Sequence, residues 1–450
     1  MERTYIKDLG NKVGETVSIS GWVDIRRDHG KLIFIDFRDM SGKIQAVVLP
    51  THSEAHAVAS KLRSEWVVAV SGKINKRPEK MVKQGVLNGE IELEIENIEV
   101  LSEAMELPFE KDTELNLDTY LDYLPFTLRT ERAKSIFKVQ AVIIEEFREA
   151  LREKNFTEFQ APSIVGGDAE GGAAAFTVDY YYDQKAYLAT SPQFYKQIMV
   201  GIFERVFSTP KIFRGEKHST TRHLSEYSSL DFEMGFIKDH RDVMSVLENI
   251  IHRIVKRMET NCLDSFSILN ASLPLLPEKI PAIKLREAQE IIEKEFGGKA
   301  SGEPDLEPEH ERQISEWAKK EHNSDFIFVT HYPVSKRPFY TYEDEEDSGF
   351  TKSFDLLFRG LEITTGGQRI HSYDLLIEKL KSKGLNPEQF SYYLQAFKYG
   401  MPPHGGSATG LERITARMLN IANVKEAALF PRDLNRIDTL LSTDKKKNED

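Results

Sequence analysis

The chain has 450 residues, 40% hydrophobic and 29% charged, with a net charge of −12, enough for two or three domains. No run approaches the ~20 apolar residues of a membrane span, and the polar opening MERTYIKDLGNKVGE is no secretory signal, so a cytoplasmic protein is expected. One cysteine, Cys262, excludes an internal disulfide framework and any cysteine-rich zinc site, and the acidic balance argues against broad nonspecific nucleic-acid binding.

Residues 13–101 read as strands. VSISGWVDI, LIFIDFRD, KIQAVVLP, WVVAVSGKI and IELEIENIEV alternate or form short β-rich runs bounded by Gly, Asp or Pro. Five such strands with glycine turns fit a five-stranded OB β-barrel over residues 1–103; another small barrel or sandwich fits the same pattern. Residues 104–130 are acidic and irregular and read as a hinge. From Glu131 the pattern turns to a long helix, then strands, then helices, an α+β domain over 131–440. Within it REAQEIIEKEF and PEHERQISEWAKKEH read as amphipathic helices of a peripheral insertion at about 272–325. Residues 441–450 have no apolar anchor and are expected to be disordered.

The densest chemistry lies at 211–234, KIFRGEKHSTTRHLSEYSSLDFEM. Arg214 ends a short apolar strand, a basic polar loop follows, and the return strand alternates Asp231 and Glu233 with apolar residues. Such a hairpin aims a cation and several donors at one place. The stretch resembles motif 2 of the class II aminoacyl-tRNA synthetases. GLERITARML at 410–419 resembles motif 3, and FKVQAVIIEEFREALREKNFTEFQAPSI at 137–164 resembles motif 1. TSPQFYKQ (190–197), FDLLFRGLEITTGGQRIH (354–371) and FPRDLNRI (430–437) are similar to the aspartyl-tRNA synthetase subgroup. The resemblance runs from roughly Gly21 to Ile437.

It implies an OB anticodon-binding barrel followed by a catalytic domain built on an antiparallel sheet flanked by helices, and a homodimer formed through motif 1. It also implies a two-step reaction. An amino-acid carboxylate attacks the α-phosphate of ATP; a ribose hydroxyl of the tRNA then takes the aminoacyl group. The first nucleophile is already an anion, so positioning and charge neutralisation carry the step, not a strong base.

By the same resemblance, Arg214 meets the α-phosphate and Arg413 the γ-phosphate, the two catalytic cations. Glu216, Arg222 and His223 hold the rest of ATP, and Tyr227 stacks on adenine or is a half-buried strand residue. Asp355, Glu362 and Thr365 match ligands of Mg²⁺, whose hard-oxygen preference suits them. Lys196 and Arg369 match the cations that clasp the side chain of L-aspartate; Asp231, Gln193 and Ser191 match its α-amino end, and Glu170 a closing loop. Asparaginyl relatives lack a lysine at the place of Lys196, which favours aspartate. In the barrel Phe34 and Gln45 match residues on the middle anticodon base, Glu92 one on the third base, and Arg26 and Arg27 meet phosphate. Stacking and edge contacts on splayed bases is how single-stranded RNA is read; by pattern alone Phe34 is barrel core.

Three departures stand out. GGSATG at 405–410 is less glycine-rich than usual, which would place Ser407 and Thr409 in the ATP pocket. Gly215 stands where alanine is frequent. Asp24 occupies the position that in relatives separates enzymes strict for tRNA(Asp) from those also charging tRNA(Asn), and it matches neither habit. The expected activity is aspartate–tRNA ligation with tRNA choice open. The alternatives are an asparagine–tRNA ligase, an RNA-binding paralogue without catalysis, and an amide-forming synthetase.

Overall fold

A computed structural model describes residues 2–111, 113–167, 174–217 and 220–438. Glu170 and the tail 441–450 lie outside them. The chain divides into two compact units, Met1–Glu114 and Leu115–Asp450.

In the first unit, β1 (Thr16–Asp28), β2 (Ile33–Arg38), β3 (Lys43–Val48), β4 (Val67–Lys76) and β5 (Ile91–Ser102) close a barrel in the order β1-β2-β3-β5-β4. The alternation seen in sequence becomes inside and outside: Ile19, Val23, Ile33, Ile35, Phe37, Ile44, Leu93 and Ile95 fill the interior. Closure needs sharp coiling, supplied at Gly72, where the β4–β5 register shifts and an added Cβ would lie 2.0 Å from the Glu94 carbonyl oxygen.

The second unit is built on β6 (Thr157–Glu158), β10 (Arg205–Ser208), β11 (Lys211–Phe213), β12 (Glu226–Gly235), β13 (Ala282–Lys284), β14 (Phe326–Thr330), β15 (Ser353–Phe358), β16 (Leu361–Arg369) and β17 (His404–Gly410). The sheet runs β13-β14-β15-β16-β17-β12-β10-β6, with β11 paired to β12. Its centre is antiparallel, and the two edge pairs, β13–β14 and β6–β10, are parallel. A separate small sheet orders β7 (Ile164–Val165), β9 (Gln184–Leu188) and β8 (Thr177–Tyr180) as β7-β9-β8.

Helices Glu131–Glu153 and His240–Asn261 cover one face of the large sheet. Their apolar residues recur every three to four positions, Ile136, Val139, Ile143 and Phe147 on the first, Val243, Leu247, Ile250 and Ile254 on the second. Both pack on Phe207 and Phe232 in one core. Truncating a buried phenylalanine such as Phe232 costs about 3–5 kcal/mol. The face so covered leaves the other face of β12, β16 and β17 to line a cavity.

The structure refines two expectations. The stretch read as irregular holds short helices at Leu117–Asp122 and Leu124–Thr127, the first capped by Asn116 and held by Arg436 through Asp122. Runs this short carry almost no periodic signal. The segment expected to be a peripheral insertion supplies edge strand β13 and helix Pro308–His322, whose Glu311 holds Arg222.

Candidate active site

Strand β12 places Asp231 and Glu233 two residues apart, hence on one face of the sheet. Across from Glu233 lies Gly406 of β17. A Cβ there would sit 2.2 Å from Glu233 Oε2, so glycine makes room for the carboxylate. Lys196, from helix Gln193–Phe203, extends beneath the strand. Its ammonium lies 2.8 Å from Asp231 Oδ2 and 3.3 Å from Glu233 Oε2, and it donates to the Ser407 carbonyl at 3.4 Å. From β16, Arg369 donates Nε to Glu233 Oε1 at 3.0 Å, and Nη2 to the Gly406 carbonyl and to Gln193 Oε1. Tyr340 lies under its guanidinium at 5.5 Å. All four charges are buried. Burial alone would raise the Glu233 pKa; Arg369 and Lys196 outweigh it and hold the carboxyl below its ordinary range.

Above this cluster opens a cavity of about 510 Å³. Ser191, Gln193, Asp231 and Arg369 line one end. Arg214, Glu216, Arg222, His223, Tyr227, Glu362, Thr365 and Arg413 line the rest. Arg214 lies 5.8 Å over the Tyr227 ring and 3.9 Å from Glu216, with 39% of its side chain exposed. Arg413 donates to the Glu362 carbonyl at 3.0 Å and faces its carboxylate at 3.8 Å. Beside it Glu412 accepts the Ser228 amide, tying the helix Leu411–Met418 to β12; burial pushes its pKa up to about 7.

Several expected residues are placed differently. Lys196 does not line the cavity; it acts from beneath, through the two carboxylates. Ser407 and Thr409 point to the opposite face of β17, and Ala408 and Gly410 line the cavity instead. A period of two decides which face a residue takes, and a shift of one inverts it. Arg222 lines the cavity, yet its Nη2 donates to both Glu311 oxygens at 2.7 Å. The same Glu311 accepts the Glu362 amide at 3.0 Å, so it ties the 211–234 hairpin to β16. Asp355 is buried, outside the cavity lining, with Arg337 at 2.8 Å and the Thr365 hydroxyl on its other oxygen. Of the expected metal ligands, Glu362 and Thr365 face the cavity, and only Glu362 presents a carboxylate. Among the described residues no cluster of three His, Cys, Asp or Glu exists. One accessible carboxylate suits a hard divalent ion that keeps most of its water and takes phosphate oxygens. Gly215 is explained by close approach: a Cβ would meet the Ala174 carbonyl oxygen at 2.6 Å.

On the barrel, Phe34 is half-buried on the outer face of β2, edge-on to His29 at 5.7 Å, while its neighbours Ile33 and Ile35 point inward. Gln45 pairs with Asp36 across β2–β3, and the parallel β3–β5 register sets Glu92 beside it. Arg27 is held by Asp36 at 2.9 Å, and Arg26 donates to the Ser60 carbonyl. Asp24 is 8% exposed, gripped by Lys111, Lys43 and Arg38. Burial raises its pKa, but Lys111 and Lys43 prevail and lower it.

Residues 116–434 match the family of class II tRNA synthetases (D, K and N), and residues 17–101 match the OB-fold nucleic acid binding domain. The chain belongs to the class II tRNA synthetases. It is 44% identical to the aspartate–tRNA(Asp/Asn) ligase of Thermus thermophilus, over 97% of this chain and 99% of that protein. It is 39% identical to the aspartate–tRNA(Asp) ligase of Picrophilus torridus over the same shares. A crystal structure of asparaginyl-tRNA synthetase from Pyrococcus horikoshii, complexed with asparaginyl-adenylate, superposes with a TM-score of 0.89 at 31% identity, covering 97% of this chain and 99% of that one. This class II synthetase is thus an aminoacyl-tRNA ligase with ATP as a substrate and an OB domain for tRNA. No helix among its described residues is long and apolar enough to cross a membrane.

Proposed function

We propose that the chain is a cytoplasmic, homodimeric aspartate–tRNA ligase that charges tRNA(Asp) and also tRNA(Asn). The observation that carries the choice of aspartate is the buried Lys196–Asp231–Glu233–Arg369 cluster at one end of the cavity. Without Lys196, two carboxylates would face one guanidinium and the floor would be net negative. A unit charge within roughly 6 Å, at an effective dielectric near 20, is worth about 3 kcal/mol. Lys196 therefore cancels a field that would repel a substrate carboxylate. Arg369 is left to meet that carboxylate, and Asp231 to meet the α-ammonium. Asparagine, nearly isosteric, would offer Arg369 a neutral amide where aspartate offers a carboxylate, and so forgo a charge-assisted hydrogen bond. The likeness to the asparaginyl enzyme supports asparagine as the second reading.

The steps follow from the two ends. The α-carboxylate of aspartate attacks the α-phosphate of ATP, and pyrophosphate leaves. Arg214 neutralises charge at the α-phosphate and Arg413 at the far phosphates; Glu216, His223 and Tyr227 orient the nucleotide. Mg²⁺, bound with ATP, supplies charge neutralisation of the phosphates, and Glu362 with Thr365 would hold it. A ribose hydroxyl of the tRNA terminus then attacks the adenylate carbonyl, and AMP leaves. Glu170 belongs to this reading as a residue of the closing loop. The barrel face of Arg26, Arg27, Phe34, Gln45 and Glu92 would read the anticodon.

Relaxed tRNA choice is supported by the names of relatives at 42–44% identity. The dimer is supported by the small sheet, whose hairpin exposes Tyr180, Tyr181 and Tyr182, the last 93% exposed. Charging of separate tRNA(Asp) and tRNA(Asn) transcripts with labelled aspartate tests the activity. Aspartylation of both is expected; aspartylation of tRNA(Asp) alone would refute the relaxed reading, and of neither the function. Sedimentation showing a stable, active monomer would refute the dimer.

A further inference from the structure

The segment 272–325 gives the cavity more than an edge strand. Its helix Pro308–His322 buries Ile314 and Ala318 in one apolar cluster with Ile327 and Val329 of β14 and Leu357 of β15. The helix comes close to the β15–β16 turn. At Gly360, where φ is +77°, an added Cβ would lie 2.9 Å from the Arg312 side chain. The next residue back, Glu311, is buried and lies outside the cavity lining.

The Glu311 carboxylate serves two elements. Both oxygens accept from Arg222 Nη2 at 2.7 Å, and Oε2 also accepts the Glu362 amide at 3.0 Å. The carbonyl of Glu362 accepts from Arg413 at 3.0 Å. The β15–β16 register shifts between Leu356 and Leu357, the second of which pairs with Glu362. A bulge re-aims a side chain and interrupts the ladder, so side chains, not the ladder alone, fix the backbone of Glu362.

We propose that Glu311 is a positioning residue for ATP: one buried carboxylate sets the spacing between Arg222, on the 211–234 hairpin, and Glu362, on β16, before the nucleotide arrives. The inference rests on the reading of this cavity as an ATP site, and it gives the segment 272–325 a part in the reaction. Arg222 and Glu362 both line the cavity, yet come from elements distant in sequence. A free arginine has many rotamers, and pairing it in advance removes that entropy cost from binding. A carboxylate suits the task because two acceptor oxygens take all three bonds. Glutamine has one acceptor oxygen, and its NH₂ would face a second donor. Charge alone would act in the opposite sense, since a negative group here repels a triphosphate.

Calorimetry of ATP binding to the full-length protein, with magnesium present, tests this beside the KM for aspartate in pyrophosphate exchange. Glu311→Gln keeps the size of the side chain. It should weaken ATP binding by about tenfold or more at unchanged stoichiometry, with the KM for aspartate within about twofold. Arg222→Lys keeps a charge but loses the planar fork, and should show the same pattern. The double variant should bind ATP no more weakly than the worse single one, because both changes remove one tie. ATP bound by Glu311→Gln as tightly as by the wild type, or more tightly, would overturn the proposal. So would additive losses in the double variant, or a reduced stoichiometry at unchanged affinity, the mark of partial unfolding alone. Absence of ATP binding in the wild type would overturn the ATP-site reading as well, whereas normal wild-type binding with an unaffected Glu311 variant would overturn this inference alone.

Discussion

The two ends of the cavity are built on opposite electrostatic plans. At the amino-acid end, four charges are buried and paired among themselves before any substrate arrives. At the end proposed for the phosphates, Arg214 and Arg413 are partly exposed, with carboxylates at 3.9 and 3.8 Å. The difference fits what each end is proposed to do. Telling a carboxylate from an amide of the same shape needs a dry site with its donors already aimed. A triphosphate is recognised by its charge alone, and exposed arginines keep most of their hydration until it comes. On the proposed function, one end is specific and tightly coupled to folding, and the other is the more adaptable.

Substitutions should break this contrast in a predictable order. Glu233→Gln removes the group that joins Lys196 to Arg369 and should have the largest effect. Breaking a buried pair costs about 3–5 kcal/mol, so aspartate-dependent pyrophosphate exchange should fall roughly a thousandfold and Tm should drop together with it. Arg214→Ala should lower adenylate formation by about 10²–10³, the usual loss for one charge-stabilising donor, while leaving Tm almost unchanged. A thermal scan beside the exchange assay separates the two patterns. Loss of Tm in the Arg214 variant as large as in the Glu233 variant would erase the distinction between the ends.

Phe34→Ala acts on neither end and should leave pyrophosphate exchange untouched. Charging should weaken through KM for tRNA by about 1–3 kcal/mol, the value of one base–aromatic stack. A further effect is on pH. Burial lowers His240 and His404 to about 4, helped at His240 by the neighbouring His331 and opposed at His404 by the Glu233 carboxylate. The unfolded chain takes up these protons near pH 6.5 while the folded protein does not. Stability is then full above about 6.5 and falls toward pH 4, by at most about 1.4 kcal/mol per pH unit for each histidine. Glu233, held below the usual carboxylate range, adds a loss only beneath about pH 4.5. Urea midpoints at pH 7.5, 6 and 5 check the sign; a midpoint that rises on acidification would contradict it.

Strand alternation and the arginine-bearing turns were legible in sequence because they are local. The barrel strands and the Arg214 hairpin follow from periodicity within ten residues. Glu233 was legible too, two residues after Asp231 on the same strand and so on the same face, though it was not among the residues assigned to the site. Parity misled at Ser407 and Thr409, where a one-residue choice of face inverts the lining. Glu311 and Arg337 left no local signal. Their partners Arg222 and Asp355 lie 89 and 18 positions away, and only the sheet order and the packing of helix Pro308–His322 bring them together. Asp355 was assigned by its match to a family motif, and that match says nothing of the arginine beside it.

The most direct test of the central claim is ATP–pyrophosphate exchange by the purified protein with aspartate and with asparagine, each over a full concentration range. Exchange with aspartate, favoured in kcat/KM by about 10² or more, is the predicted result. Exchange with asparagine at an equal or higher kcat/KM would contradict the reading of the Lys196–Glu233–Arg369 cluster as a carboxylate site.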